Sequence, residues 1–593
     1  MPLIVQKFGG TSVADSKKIL AAARKAIRAH QQGNQVVVVV SAMGKNTDLL
    51  IQLAREINER PPAREMDMLL STGEQVSVAL MAMAVDSLGY KAVSLTGGQI
   101  GIRTDSIHTK ARIKSISTDR IKSLLNEGNI VIAAGFQGID EELNITTLGR
   151  GGSDTTAVAL AAVLAADQCE IYTDVDGVYT TDPRLLPEAR RVSQVSYDEM
   201  LELASLGAGV MHSRSIEFAK KFDVAIHVRS SLSDIPGSFI VAEPESPDVA
   251  VSGAAQTKDE ARITILGVPD VPGTSYEIFS RIADAKVTVD MIVQNVGEEG
   301  YADISFTVPK DELAVTLEAV QKAIDHIGAG KFTCDKEVSK ISVVGLGMAR
   351  QAGVANKMFR ALANAGINIQ MITTSEIKIS VLVERQQALS ALRTVHGVFE
   401  LENPPKTVAT KSVHDSSRRT PDALDVVSRL HGFGMEDLTI DDIKLDQSQA
   451  RVSITGVPNE PGIAATVFEK IAANGIFVDM IVQSYGADER ADMSWTIPRE
   501  SHDDAVRIAS ELLKELKCSR VSSSKDIAKL SVSGIGLRSH TGVAIGMFRA
   551  LTEAKINVMM INTSEVRVNV VVNGAEGERA LKSLQHQFSD CFR

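Results

Sequence analysis

Four stretches of this 593-residue chain carry residue types that handle anions. Leu3-Ile-Val-Gln-Lys7-Phe8-Gly9-Gly10-Thr-Ser12 reads as a strand running into two glycines and then an amphipathic helical pattern. Without Cβ atoms the glycines allow a tight turn and a close approach to a ligand, the helix turns free N–H groups toward the same point, and Lys7 adds a full charge. The result is a phosphate cradle in outline, or else an ordinary strand-turn-helix corner with a surface lysine, and the rest of the chain decides between them. Ser41-Ala-Met-Gly44 follows five valines, which places its hydroxyl at the C-terminal end of a strand, where open α/β sheets hold ligands. Arg150-Gly151-Gly152-Ser153-Asp154-Thr-Thr opens an alanine-rich helix and joins a guanidinium fork, two glycines and a helix N-terminus into an anion site. Asp154 there caps the helix, positions the reacting groups or balances the positive charge. Thr173-Asp174-Val-Asp176-Gly-Val-Tyr179-Thr-Thr-Asp182-Pro-Arg184 is a strand exit suited to a nucleotide's base and phosphates, or else a solvated turn around Asp-Gly and Asp-Pro. No Gly-x-x-x-x-Gly-Lys-Ser/Thr stretch occurs, so the cradle is not a P-loop.

The elements that must position these residues form two kinds of architecture. Over residues 1–245 helical and strand patterns alternate, and strands such as residues 36–40 and 130–134 are apolar on both faces, as in a mainly parallel α/β sheet covered by helices. Beyond lies a repeat. Arg262-Ile-Thr-Ile-Leu-Gly-Val-Pro-Asp270 returns as Arg451-Val-Ser-Ile-Thr-Gly-Val-Pro-Asn459, and Val289-Asp-Met-Ile-Val-Gln294 as Val478-Asp-Met-Ile-Val-Gln483; from 262 to 451 and from 289 to 478 the offset is 189 residues. Each block reads as two consecutive β-α-β-β-α-β modules, hence four ferredoxin-like units. The expected divisions are a first domain at 1–245, a first block at 246–402, a polar linker at 403–430 and a second block at 431–593; Ala242-Glu-Pro-Glu-Ser-Pro-Asp248 reads as the first connection. Gly345-Leu-Gly347 is too incomplete for a dinucleotide fingerprint and recurs as Gly534-Ile-Gly536, so it reads as a module loop.

A formal net charge of −11 argues against a general nucleic-acid or acidic-membrane partner, so an anionic ligand needs a focused pocket. Cys169, Cys334, Cys518 and Cys591 form no Cys-x-x-Cys pair and read as reduced structural thiols. The start lacks a secretory pattern, and the longest apolar run, residues 157–166, falls short of the roughly 20 residues of a membrane span. The expected location is cytoplasmic.

In order and spacing, Lys7-Phe-Gly-Gly-Thr-Ser12, Ser71-Thr-Gly-Glu74, Arg150-Gly-Gly-Ser-Asp154-Thr-Thr156 and Thr173-Asp-Val-Asp-Gly-Val-Tyr179 resemble the amino-acid kinase family, specifically its aspartate kinases. The modules resemble the ACT domains that bind amino acids in such enzymes, and the resemblance covers essentially the whole chain. It implies ATP-dependent phosphorylation of the side-chain carboxylate of L-aspartate, with Mg²⁺ on the ATP phosphates and no protein metal ligand, under feedback by lysine and threonine. By resemblance, Lys7, Gly9, Gly10 and Asp154 are catalytic; Lys7, Phe8, Gly9, Gly10, Ser41, Ser153, Thr173, Asp174, Tyr179 and Arg184 hold ATP. Thr47, Glu74, Arg150, Gly151, Gly152 and Ser153 hold aspartate, Arg150 gripping a carboxylate and Glu74 pairing with an ammonium. One departure is Gly207-Ala-Gly209-Val-Met-His212, which has glycine where some relatives carry a lysine near the nucleotide. The alternatives are a kinase for glutamate or acetylglutamate and a catalytically dead amino-acid sensor.

In the first module the amides of Val268-Pro-Asp270-Val271-Pro272-Gly273-Thr274-Ser275 are placed to capture an α-carboxylate, and Asp270 or Asp290 an ammonium. The resemblance adds Gln294, Val354, Asn368, Ile369, Ser375 and Glu376 where a paired module completes the pocket. In the second block the corresponding positions are Asn459, Pro461, Gly462, Ile463, Ala464, Asp479, Gln483, Val543, Asn557, Val558, Ser564 and Glu565. Because Asn459 replaces Asp270, the first site is expected to take a cationic effector such as lysine and the second a neutral one such as threonine. The resemblance also implies a homodimer or higher homo-oligomer through the modules.

Overall fold

The computed structural model describes residues 1–207, 210–246, 249–296, 300–351, 353–405, 434–485, 490–537 and 542–592. Most of the expected 403–430 linker lies outside the described residues, as do Gly209 and Asp248.

The first domain is built on an eight-stranded sheet in the order Gln194–Ser196, Ser238–Val241, Ile226–Ser230, Gln168–Thr173, Leu3–Phe8, Gln35–Val40, Ile130–Ala134, Ala92–Leu95. The last six are mutually parallel. Alternation along the valine strand explains its lack of polar residues. Val36, Val38 and Val40 share one core with Phe8 and the helices Ser16–Gln31 and Ala63–Ser87. Val37 and Val39 share another with Leu3, Val5 and the helix Gly152–Val163. Ala63–Ser87 is by length and composition apolar enough to cross a bilayer. Yet it packs Val78, Met81 and Val85 into the first core and buries Asp67 and Glu74, so one face of it is part of the packing of a folded domain, while Met68, Val76, Leu80 and Met83 lie exposed on the other.

The modules correct the sequential reading. The first module has its expected order, with strands from Gly253–Pro269, Asp290–Val296, Tyr301–Pro309 and Lys331–Val344 and helices Thr274–Asp284 and Leu313–Ile327. Among the described residues the second has no closing strand of its own after helix Ala388–Val398; residues 253–257 fill that place, paired with residues 340–344. The first module is therefore inserted in the second. Continuity explains it: Gly253–Pro269 and Lys331–Val344 are single long strands that pass from one module to the other through register shifts between Thr257 and Arg262. The second block repeats the device, Thr439–Asp446 closing the fourth module against Ile527–Ile535 around the third.

The modules also pair within one chain. Met371–Thr374 of the second runs antiparallel beside Ile481–Tyr485 of the third, making one ten-stranded sheet. Met560–Thr563 of the fourth packs against Asp290–Val296 of the first. Met291, Met371, Met480 and Met560, one from each module, share a buried cluster where soft thioether side chains fill the junction.

The first domain meets this assembly through helix Tyr197–Ser205. Glu202, fully buried, pairs with Lys378 Nζ of the second module at 2.7 Å and accepts the N–H of Glu565 of the fourth at 3.1 Å. Glu199 accepts Ser252 Oγ and the Leu346 N–H. His396 of the second module shares a 3.0 Å hydrogen bond with Thr180, next to Tyr179.

Candidate active site

The parallel strands deliver their C-terminal ends to one place. Lys7, paired in register with Val39 and Ile171, ends its strand with Nζ 2.6 Å from Asp154 Oδ1; the side chains are 11% and 14% exposed. Asp154 is held there by helix Gly152–Val163, which Thr156 ties to the end of the 130–134 strand by accepting the Phe136 N–H and donating to the Gly152 carbonyl. Gly10 lies so close to the next strand end that a Cβ would stand 2.7 Å from the Ala42 carbonyl oxygen. The chain then makes a short 3₁₀ turn, Gly10–Val13, and the long helix begins only at Ser16. The expected helix N-terminus is thus displaced from the cradle. Asp15 explains it, because its carboxylate caps the helix through the Lys18 N–H.

Ser41 stands at the end of Gln35–Val40, its N–H donated to the Phe8 carbonyl, and Thr47 lies half-buried in the first turn of Asn46–Ile57. Glu74 reaches in from Ala63–Ser87. One carboxylate oxygen accepts the Ala42 N–H at 3.0 Å; the other is buried with no partner among the described residues. Burial pushes its pKa up to about 7, against the pull of the Ala42 N–H.

The Arg150 loop takes its shape from Gly151, whose φ of +76° is left-handed and whose Cβ would lie 2.4 Å from the His212 Cβ. Arg150 itself is exposed, and Ser153 is buried in the first helical turn. The structure thus brings Lys7, Gly9, Gly10, Asp154, Ser41, Glu74 and the Arg150 loop together around the strand ends. The nucleotide-side residues are more self-contained. Thr173 donates to Asp174, Tyr179 to Asp176 at 2.7 Å, and Arg184 grips Asp182 on the surface. Phe8 is fully buried and stacks on Tyr172, so its side chain is core and only its backbone faces the cradle.

Sequence reasoning missed three contributors. His212 packs on Gly151; Arg214 donates to the carbonyls of Leu148 and Ala111; Asp67 gathers His108, the Thr109 N–H and Thr147 behind the loop. The Met-His-Ser-Arg run after the glycine segment was the available signal.

The residues expected to bind effectors divide between modules. Asp270 accepts Asn557 Nδ2 at 2.9 Å, and Gln294, itself accepting Ser275 Oγ, donates to the Val558 carbonyl. The third and second modules repeat this: Asn459 accepts Asn368 Nδ2 at 2.9 Å, and Gln483 donates to the Ile369 carbonyl. The Asp270 loop is therefore completed by the fourth module, and the Asn459 loop, with Gly462, Ile463 and Ala464, by the second. Val354, Ser375 and Glu376 line a separate cavity of about 320 Å³ with Asp479, while Ser564 and Glu565 face Asp290 across one of about 90 Å³. Val543 is fully buried in the core. The carboxylates of Asp290 and Asp479 are already occupied by Lys340 and Lys529, and Glu376 pairs with Arg567.

A doubly wound sheet with a lysine–aspartate pair at its strand ends, followed by inserted ferredoxin-like modules, defines an amino-acid kinase carrying ACT domains. Residues 2–230 match the amino acid kinase family, and residues 262–325, 341–399, 452–513 and 530–588 match ACT domains. A Pseudomonas aeruginosa aspartokinase is 50% identical over 409 residues, 68% of this chain and 99% of that protein. The crystal structure of aspartate kinase from Synechocystis is 40% identical, with a TM-score of 0.52 over 99% of this chain and 98% of that one. Escherichia coli aspartokinase III, 25% identical over 67% of this chain and 99% of its own, has been solved with aspartate and ADP (R-state, TM-score 0.57) and with lysine and aspartate (T-state, TM-score 0.53). The chain belongs to the aspartate kinase family.

Proposed function

We propose that this chain transfers the γ-phosphoryl group of ATP to the side-chain carboxylate of L-aspartate, giving 4-phospho-L-aspartate and ADP, in the cytoplasm and as a homo-oligomer. The observation that carries this reading is the Lys7–Asp154 pair beside the buried, half-partnered Glu74 carboxylate at adjoining strand ends. A side-chain carboxylate ionises near pH ~4, so aspartate is already a nucleophile at neutral pH and needs no general base. Its oxygen bonds to the γ-phosphorus in line with the bridging oxygen, which departs with its electron pair on ADP; no proton moves.

Two anions must meet, so charge neutralisation is the main task. Lys7 and the Gly10 amide supply it, while Gly9, whose own N–H is donated to the Tyr172 carbonyl, lets the backbone approach closely; Ser41, Ser153, Thr173, Asp174, Tyr179 and Arg184 hold the nucleotide. Arg150 grips a carboxylate of the acceptor and Glu74 its ammonium, within a pocket shaped by Thr47, Gly151 and Gly152. The groups at the strand ends are an ammonium, hydroxyls and the Gly10 amide, with Asp154 already paired; this donor set suits phosphate oxygens, and so an ion carried on them. Mg²⁺ would be held through the nucleotide phosphates that Lys7, Gly10 and Ser41 bind, and would supply further neutralisation of their negative charge. ADP and aspartate bound in the E. coli enzyme support the assignment of both substrates.

Hydroxylamine trapping of the acyl phosphate is expected to give product with aspartate and none with glutamate or acetylglutamate; the reverse pattern would reject the acceptor. Arg150→Ala is expected to raise KM for aspartate about 10- to 100-fold, the loss of a charged hydrogen bond, with KM for ATP unchanged.

For regulation, lysine is assigned to the Asp270 site and threonine to the Asn459 site. The carboxylate supplies the charge that a cationic effector needs, and lysine bound to the E. coli relative supports that class of ligand. In calorimetric titrations Asp270→Asn is expected to weaken lysine binding about tenfold or more while leaving threonine binding intact. Unchanged lysine affinity would sink this assignment.

A further inference from the structure

The five residues that lead into the fourth module, 434–438, lie on the catalytic domain. Met435 is wholly buried in its core, and its N–H donates to the Lys114 carbonyl at 3.1 Å. Glu436 adds an antiparallel-like pair with Ile113, its N–H donating to the Ile113 carbonyl and Oε1 accepting the Ile113 N–H at 3.2 Å. Lys221 Nζ donates to the Asp437 carbonyl at 2.9 Å. This is a docked segment, fixed at three successive residues.

The Glu436 carboxylate meets Arg214, Oε2 lying 2.7 Å from Nε and 2.5 Å from Nη2, with the side chains 7% and 15% exposed. The rest of the guanidinium faces the acceptor loop. Nη1 donates to the Leu148 carbonyl, two residues before Arg150, and Nη2 to the Ala111 carbonyl at 2.6 Å. On the other side of the loop, His212 packs on Gly151 and its Nδ1 accepts the Arg214 N–H. Arg214 thus holds the loop before and after Arg150. Its orientation depends on Glu436, since a guanidinium this buried is stranded without its anion.

We propose that Glu436 is a positioning residue for phosphoryl transfer: it locks Arg214 in the fork that sets the 148–152 loop, and through it the fourth module acts on aspartate binding. The proposal rests on reading that loop as the aspartate site. The route is short. Thr439–Asp446 begins three residues after Glu436 and pairs with Ile527–Ile535; Gly534 of that strand donates its N–H to Val566, which packs on the same catalytic core. Val566 stands between Glu565, which faces the effector-side cavity, and Arg567. A ligand that shifts this module displaces a docked segment rather than a free tether, and a packed contact responds by switching between arrangements rather than by stretching.

The test uses the full chain with Glu436→Gln and Glu436→Asp. The glutamine variant is expected to raise KM for aspartate roughly 10-fold, within the range of ordinary site-to-site coupling, with kcat and KM for ATP within about twofold. It is also expected to raise the concentration of lysine or threonine needed for half-inhibition, and to speed amide hydrogen exchange over residues 146–153. Glu436→Asp, which keeps the charge, should recover part of each effect and carries the same readouts if the glutamine variant does not accumulate. Unchanged aspartate KM and unchanged exchange would overturn the proposal, as would an equal loss for both substrates accompanied by a lower melting temperature. Failure of the loop reading is separate: it would appear as an unchanged aspartate KM in Arg150→Ala.

Discussion

Lys7→Ala is expected to lower kcat by about 10²–10³, the cost of removing one preorganised donor from a site where negative charge gathers. KM for aspartate should change little, because Lys7 stands at the phosphoryl end, away from the proposed ammonium and carboxylate contacts of the acceptor. The same substitution has a second consequence. Asp154, 14% exposed and 2.6 Å from Nζ, loses its counter-charge. A lone carboxylate there should destabilise the domain by about 2–3 kcal/mol, somewhat under the figure for a fully buried pair because both groups retain some solvent. Lys7→Met combined with Asp154→Leu should recover most of that stability and none of the turnover. Urea unfolding and hydroxylamine trapping on the same preparations separate the two effects. Turnover within tenfold of the parent in Lys7→Ala would remove the lysine from the mechanism.

The parts of this site that were legible in sequence are those whose reason is local. Five consecutive valines have no place except a strand covered on both faces, and Gly10 and Gly151 mark a close backbone approach and a left-handed turn that side chains would block. The 189-residue repeat likewise revealed the duplicated blocks. What it hid was connectivity. A strand of seventeen residues, Gly253–Pro269, serves two modules, and nothing in its composition marks where one ends. Partner choice was also invisible: Asp270 meets Asn557 and Asn459 meets Asn368, contacts across 287 and 91 residues that depend on how whole modules stack. Arg214 and Glu436, 222 residues apart, belong to the same class. Each is an ordinary surface-type residue in sequence, and only tertiary packing buries it against an opposite charge.

Glu74 sets the second large effect, and its sign follows from burial. A carboxyl held at about 7 is neutral in the free enzyme below that pH and cannot pair with the ammonium of aspartate. kcat/KM for aspartate is therefore expected to fall about tenfold per pH unit below roughly 6.5 and to level off above roughly 7.5. Binding the ammonium draws the carboxyl back toward its ordinary value, so at pH 6 aspartate binding should release about one proton and at pH 8 almost none; calorimetry in buffers of different ionisation enthalpy reads this directly. Stability runs the opposite way. The folded-state pKa lies above the ordinary 4.5, so the native domain holds the proton more tightly than the unfolded chain and loses stability as pH rises from 4.5 to 7. The difference amounts to about 3 kcal/mol at most. Glu74→Gln, which keeps the shape and discards the charge, should therefore stabilise the protein at pH 8 while abolishing the pH dependence and weakening aspartate binding 100-fold or so. A variant less stable at pH 8 than the parent, or one that kept the acidic fall in kcat/KM, would show that Glu74 is not the group that titrates.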